Sequence, residues 1–288
     1  MNTDIHGYLP ELLKDGFPKS VASMRKIKEP LTRSHTSRDS IYQVHSDCGI
    51  DYLKEKRKVL NVNQYGISKC RIGKFNRSLL EDVEHDRITK IIAKYTSKKR
   101  FHKHRTVENL YRILNKLECD VVVCTLRPDG TNYVSLVHLL FPNGWSAEGS
   151  IGRSFQEIHD DVTYADGLYV VPLSDKFVAG IINSGNCFER VGAYSLRDRV
   201  QMLRHPEDHT PNDYDNLTEL YVRFERQTVV SVPSLQSFIF FIHTHYVDCS
   251  TDPNFFINAI VNADPECYLH KQLQQHGDKM VKFLQGVS

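Results

Sequence analysis

Three groups of residues in this chain have the types and spacing to do chemistry. The first is His159, followed directly by Asp160 and Asp161 and preceded by Trp145, the single tryptophan, which itself follows a Pro142-Asn143-Gly144 break. A neutral imidazole at the end of a short helix can ligate haem iron while a neighbouring carboxylate fixes its tautomer, or it can simply cap carbonyls at the helix C-terminus. The second is Arg223-x-Glu225-Arg226-Gln227-Thr228. Period two on a strand puts Arg223, Glu225 and Gln227 on one face, either a solvated exterior or a polar site built into a pocket. Arg226 falls on the other face with Leu220, Val222 and Phe224, where a buried guanidinium needs an anion such as a propionate or a carboxylate. The third is His243-Thr244-His245, whose two imidazoles share a strand face. They are either incidental or two ligands of a metal site that needs a third, such as His138 or Glu225. Cys187 is a candidate thiolate, but nothing around it resembles a haem-thiolate signature.

Other chemistries lack support. No P-loop, G-x-G-x-x-G, G-x-S-x-G or H-E-x-x-H occurs, which argues against nucleotide hydrolysis, a Rossmann cofactor, and serine or zinc hydrolysis. With 37 Lys and Arg against 35 Asp and Glu, the formal charge of +2 is too balanced to make nucleic acid the main partner. One basic run with interleaved aromatics, Lys98 to Arg105, could touch phosphate, an anionic lipid or an acidic protein, or be a solvated connection between helices. The seven cysteines form no C-x-x-C pair and are odd in number, which fits a reducing cytosol rather than a disulfide framework. An acidic N-terminus without an apolar core segment, and the lack of a long apolar window, predict a soluble, cytoplasmic protein.

The elements that must position these residues follow from patterning. Residues 1 to about 45 read as an irregular arm, and Asp51 to Leu60 as a charged helix. Two apolar stripes, Leu80 to Tyr95 and Val107 to Leu117 with Thr106 as N-cap, predict a helical layer. Cys119 to Leu126 and Tyr133 to Leu140 flank Pro128-Asp129-Gly130 as a hairpin. Ile151, Phe155 and Ile158 suggest a helix that delivers His159; Lys176 to Ile182 reads as a helix stopped by Asn183-Ser184-Gly185, and Glu189 to Leu196 as a strand. An excursion loop from Leu203 to Asn216 precedes two strong strands, Leu220 to Val230 and Phe238 to Val247. Asn254 to Leu284 closes the chain as helix, broken at Pro265 and Gly277. The order predicts an α+β fold, a sheet of about five strands with helices over one face.

Several of these stretches, in this order and spacing, resemble the haem-dependent oxidative N-demethylase-like family over roughly residues 45 to 285. They are Phe141-Pro142-Asn143-Gly144-Trp145, Ile151-Gly152-Arg153, Ile158-His159, Arg190, Arg223-x-Glu225-Arg226-Gln227-Thr228 and the Phe-rich strand that follows. The resemblance implies a PAS-like antiparallel sheet around haem b, where oxygen is activated to hydroxylate an N-methyl carbon. The carbinolamine then collapses to formaldehyde and a shorter amine. It also implies electrons from NADPH through a separate flavin and iron-sulfur reductase, since this chain has no cysteine cluster or dinucleotide motif of its own. The chain departs from the family pattern at His159-Asp160-Asp161-Val162-Thr163, after Arg190, and at Glu118-Cys119-Asp120, so the amine is open and dimethylamine is only the family default.

The resulting expectation is an irregular arm at 1–45 and a haem-binding domain at 46–288. His159 is the axial ligand; Arg226, Arg153, Arg190 and Trp145 hold the cofactor, and Glu225 and Arg223 orient substrate or protons. A non-catalytic haem or ligand sensor and a non-haem metal enzyme using His243 and His245 are the alternatives. No nucleic acid or membrane partner is expected, and homo-oligomerisation stays open.

Overall fold

A computed structural model of the chain describes residues 13–17, 25–27, 54, 76–95, 110, 113–115, 117–139, 145–159, 174–200, 211–267 and 270–287. Outside them lie most of the expected arm and of the Asp51 to Leu60 helix, the basic run Lys98 to Arg105, Thr106, the Pro142-Asn143-Gly144 break, Asp160 and Asp161, and the first part of the excursion loop.

Among the described residues, seven strands form one antiparallel sheet: β1 (Arg25–Ile27), β2 (Asn76–Ser78), β3 (Asp120–Leu126), β4 (Asn132–His138), β5 (Cys187–Arg197), β6 (Tyr221–Val232) and β7 (Ser237–Asp248). Their spatial order is β1-β5-β6-β7-β3-β4-β2. The five long strands are those expected from the β-branched and aromatic runs. The short edge strands add two more, and β1 arises within the stretch expected to be irregular because its backbone pairs with β5 at Lys26↔Phe188 and Ile27↔Cys187.

The hairpin β3–β4 turns where expected. Gly130 takes φ +85, and Asp129 Oδ1 accepts from the Thr131 amide (2.9 Å) and hydroxyl (2.7 Å). β6 and β7, joined by a 3-10 turn at Pro233–Leu235, pair without a register break from Tyr221↔Asp248 to Val232↔Ser237. Each residue's face in this pair is therefore fixed by its parity.

Helices cover both faces rather than one. The back face carries two apolar clusters. One joins Val121, Val123, Leu136, Val230, Ile239 and Phe241 to Ile88 and Ile92 of α1 (Asp82–Tyr95) and to Leu110, Leu114 and Leu117. The other joins Leu196, Leu220, Val222 and Phe224 to α4 (Pro253–Val261) and α5 (His270–Val287). The front face packs Val122, Cys124, Val134, Val229, Phe238, Phe240 and Ile242 under Ala147, Phe155, Val178 and Ile182. Those last four come from α2 (Ala147–Ser150), the turn after it, and α3 (Asp175–Asn183).

Three expectations are corrected. The segment leading to His159 is not one helix: α2 ends at Ser150, Gly152 with φ +81 turns the chain away from the spiral, and a separate 3-10 turn spans Glu157–His159. Gly277 does not interrupt α5, which runs through it. The helices do not confine themselves to one side of the sheet. At the other end of the chain, Gly16 sits where a Cβ would come within 2.0 Å of the Asn262 carbonyl. The Phe17 amide donates to Ala259 (3.2 Å) and the Phe17 carbonyl accepts from Asp264 (2.8 Å), so residues 13–17 lock onto the end of α4. Among the described residues, no helix is long and apolar enough to cross a membrane.

Candidate functional site

The front face is assembled from two halves. Its apolar half is made by the crossover between β4 and α3, which the sheet itself anchors. Beside the β4 bulge at Ser135, which falls between the pairs Val123↔Leu136 and Cys124↔Val134, the Gly152 amide donates to the Val134 carbonyl and the Val134 amide to the Arg153 carbonyl, both at 2.8 Å. Phe155 then packs edge-on against Phe238 (5.3 Å) and Phe240 (5.8 Å) of β7. His159 lies 4.8 Å from Phe155 and meets the Trp145 ring edge to face at 4.8 Å. Its Nδ1 is 2.7 Å from the Phe155 carbonyl oxygen. A carbonyl only accepts, so Nδ1 carries the hydrogen and the neutral ring keeps its lone pair on Nε2. The group that fixes the tautomer is thus a backbone carbonyl four residues back, where a neighbouring carboxylate was expected.

Asn132 holds this arrangement and carries no sequence signal of its own. It is 1% exposed at the start of β4; its Oδ1 accepts from the Phe155 amide (2.7 Å), while its Nδ2 and its amide donate to Asp175 Oδ1 at 2.6 and 2.8 Å. One side chain therefore ties β4, the N-terminal turn of α3 and the residue whose carbonyl orients His159. The only clue to it was its place at the mouth of the hairpin turn. Nearby, the Cys124 thiol, 3.4 Å from Asn132 Oδ1, has its pKa pushed far above the ordinary value by burial and, next, by the charge of Asp175.

The polar half continues along the same face. Arg223 Nη2 donates to Glu225 Oε1 (2.5 Å) and Thr244 Oγ1 (3.2 Å), Gln227 Nε2 donates to Glu225 Oε2 (2.6 Å), and Arg190 Nε donates to Gln227 Oε1 (2.6 Å). Residues from β5, β6 and β7 thus form one row, and it is a buried one: Arg223 is 2% exposed and Glu225 9%. Burial works against the Arg223 charge, but Glu225, then Tyr246 and Asp120, outweigh it and hold the guanidinium's pKa above its usual value. Asp120 opens β3 opposite Ile242 and so faces the same side. Sequence reasoning missed it as a site residue, though an aspartate at the head of a β-branched run was the available signal.

The other candidates lie elsewhere. Arg226 is on the back face, where its Nε donates to Glu189 Oε1 at 3.1 Å, and it is not brought together with Trp145, Arg153 or His159. Arg153 is on the crossover but exposed, with its guanidinium donating to the Gly149 and Glu157 carbonyls (3.2 and 2.7 Å). His243 pairs across the ladder with Arg226, and His245 stacks on Phe224 at 5.3 Å. Their back-face position separates them from Glu225; His138 shares that face but lies two strands away, beyond β3. Among the described residues, no group of three His, Cys, Asp or Glu side chains is arranged to hold a metal ion. Cys187 is also on the back face, against the cluster under α1. A surface cleft of about 430 Å³, lined by Glu84, Arg87, Arg127, Tyr133 and Gln236 among others, contains none of the candidate residues.

No curated protein matches the chain. A family model does match it, over residues 75–281, more than two thirds of the length and spanning both halves of the front face. That model describes the haem-dependent oxidative N-demethylase, alpha subunit-like family, and the chain belongs to it.

Proposed function

We propose that this chain is a haem b-dependent monooxygenase that removes a methyl group from a small amine or related nitrogen-containing metabolite, on a sheet of PAS-like design. The observation that carries the reading is His159. Its hydrogen bond to the Phe155 carbonyl leaves the metal-binding lone pair on Nε2, and its neighbours are the rings of Trp145 and Phe155. Support for the sheet assignment is the order β5-β6-β7-β3-β4, in which the first long strand of the chain sits beside the last.

The residues present fit a haem. An imidazole donor, an aromatic wall and a buried charged row share one face. Within that row Arg223 Nε is buried and has no hydrogen-bond partner. His159 would hold the iron, Trp145 and Phe155 would pack on the macrocycle, and Arg190 and Arg153 would meet propionates. Arg226 has its anion already in Glu189 and is left out of this assignment. The bound haem would supply activation of molecular oxygen for attack on a carbon beside nitrogen.

The chain's own side chains do the rest. Phe155, Phe238 and Phe240 exclude water from the apolar half. Glu225, held by hydrogen bonds on both oxygens, fixes a negative charge that orients an amine nitrogen without having to move. The overall reaction takes two electrons from NADPH through a separate flavin and iron-sulfur protein. One oxygen atom leaves in formaldehyde and the other in water. The seven cysteines, none of them in a C-x-x-C pair, suit a reducing, cytoplasmic setting.

The test is turnover. Protein produced with ample haem, supplied with NADPH, a surrogate reductase and an N-methylamine panel, is expected to release formaldehyde in step with NADPH consumed. Haem-loaded protein that consumes no NADPH with any amine would favour a sensor instead.

A further inference from the structure

The buried row on the front face leaves one of its own donors unmet. Arg223 spends Nη2 on Glu225 and Thr244, but its Nε–H is buried without a hydrogen-bond partner. Glu225 cannot turn to meet it without giving up another bond, because Oε1 accepts from Arg223 and Oε2 from Gln227. A buried charged donor left unmade is costly, and an incoming acceptor recovers that cost. The charges around it are mixed: the carboxylates of Glu225 and Asp120 act on Arg223, and Arg190 joins the row through Gln227. Such a row complements a ligand that itself carries both signs.

Arg226 also has a buried Nη2 without a partner, but that guanidinium lies on the back face, between two apolar clusters and away from His159. Its gap suits a buried water.

We propose that Arg223 Nε anchors an oxyanion carried by the substrate, so that the class taken by this chain is a zwitterionic N-methyl amino acid rather than a simple alkylamine. The carboxylate meets Arg223, and the nitrogen lies beside Glu225 and Asp120. This rests on the reading of the front face as the substrate site, and it narrows the amine left open above.

The probes are sarcosine and dimethylamine, which carry the same N-methyl group and differ in the carboxylate. Calorimetric titration of the full chain is expected to give at least tenfold tighter binding of sarcosine. Arg223→Lys keeps the charge but loses the Nε donor, and the preference is expected to fall below threefold. Dimethylamine binding as tightly as sarcosine, or an Arg223→Lys protein with its preference intact, overturns the proposal. Should Arg223→Lys not fold, the wild-type chain still decides: acetate is expected to compete with sarcosine, and acetate that does not compete overturns the assignment. Calorimetry reads binding without any haem colour. A missing Soret band would therefore count against the haem reading while this result stood on its own.

Discussion

Arg223 and Arg226 stand three residues apart on one strand, both buried, and the sheet sends them to opposite faces. On the back face Arg226 has a single carboxylate partner, Glu189, set between apolar clusters that join the sheet to α1, α4 and α5. On the front, Arg223 belongs to a chain of side chains that runs through Glu225 and Gln227 to Arg190, with Thr244 and Asp120 beside it. The back-face pair is isolated, with a gap at Arg226 Nη2 that suits a buried water, and serves the fold; the front-face row is extended, and its unmet Arg223 Nε lies on the face that carries His159. Residue type alone does not separate the two roles, because both are guanidiniums of nearly equal exposure. Position relative to the crossover that carries His159 does.

That contrast predicts unequal costs. Glu189→Ala leaves the Arg226 charge buried with its one ionic partner gone, and it is expected to lower stability by about 3–5 kcal/mol in urea denaturation. Glu225→Ala is expected to cost less, because Asp120 still acts on Arg223. Equal losses, or the reverse order, would break the distinction between an isolated pair and an extended row.

How far this was legible in the sequence follows the same division. The parity of Arg223, Glu225 and Gln227 against Arg226 was readable because β6 and β7 pair without a bulge, so period two holds throughout. Whether the charged row faced water or a pocket was not readable, since that depends on what covers it. The crossover to His159 was misread as one helix because Ile151, Phe155 and Ile158 have helical spacing. The positive φ of Gly152 and the backbone bonds of Gly152 and Arg153 to Val134 override that pattern. Asn132 and Asp120 left only faint signals, a place at the mouth of the hairpin and at the head of a β-branched run, because their roles come from partners distant in sequence, Phe155 and Asp175 for one and Arg223 for the other.

Smaller effects sharpen the comparison within the front face. Asn132→Ala removes the acceptor for the buried Phe155 amide and is expected to cost about 1–3 kcal/mol. Asp175→Asn, at an exposed partner, should cost less by the same measurement. Equal costs for the two would make Asp175 the anchor and Asn132 a spacer.

Cys124 gives the smallest effect and the clearest sign. Burial and the Asp175 charge raise its folded pKa, so the folded thiol stays protonated while an unfolded one ionises near pH 8.5. Its stabilising contribution is complete below that pH and declines above it. Between pH 8.5 and 9.5, wild type is expected to lose about 1 kcal/mol more than Cys124→Ala. Parallel pH profiles for the two would show that this end of the face admits water.

The central claim is that the front face binds haem through His159. Haem titration of purified wild type and His159→Ala, followed at the Soret band, tests it most directly. A saturating Soret band at one haem per chain, with affinity at least tenfold weaker in the variant, is the predicted result. An unchanged band and affinity in His159→Ala, or no band in wild type, would contradict it.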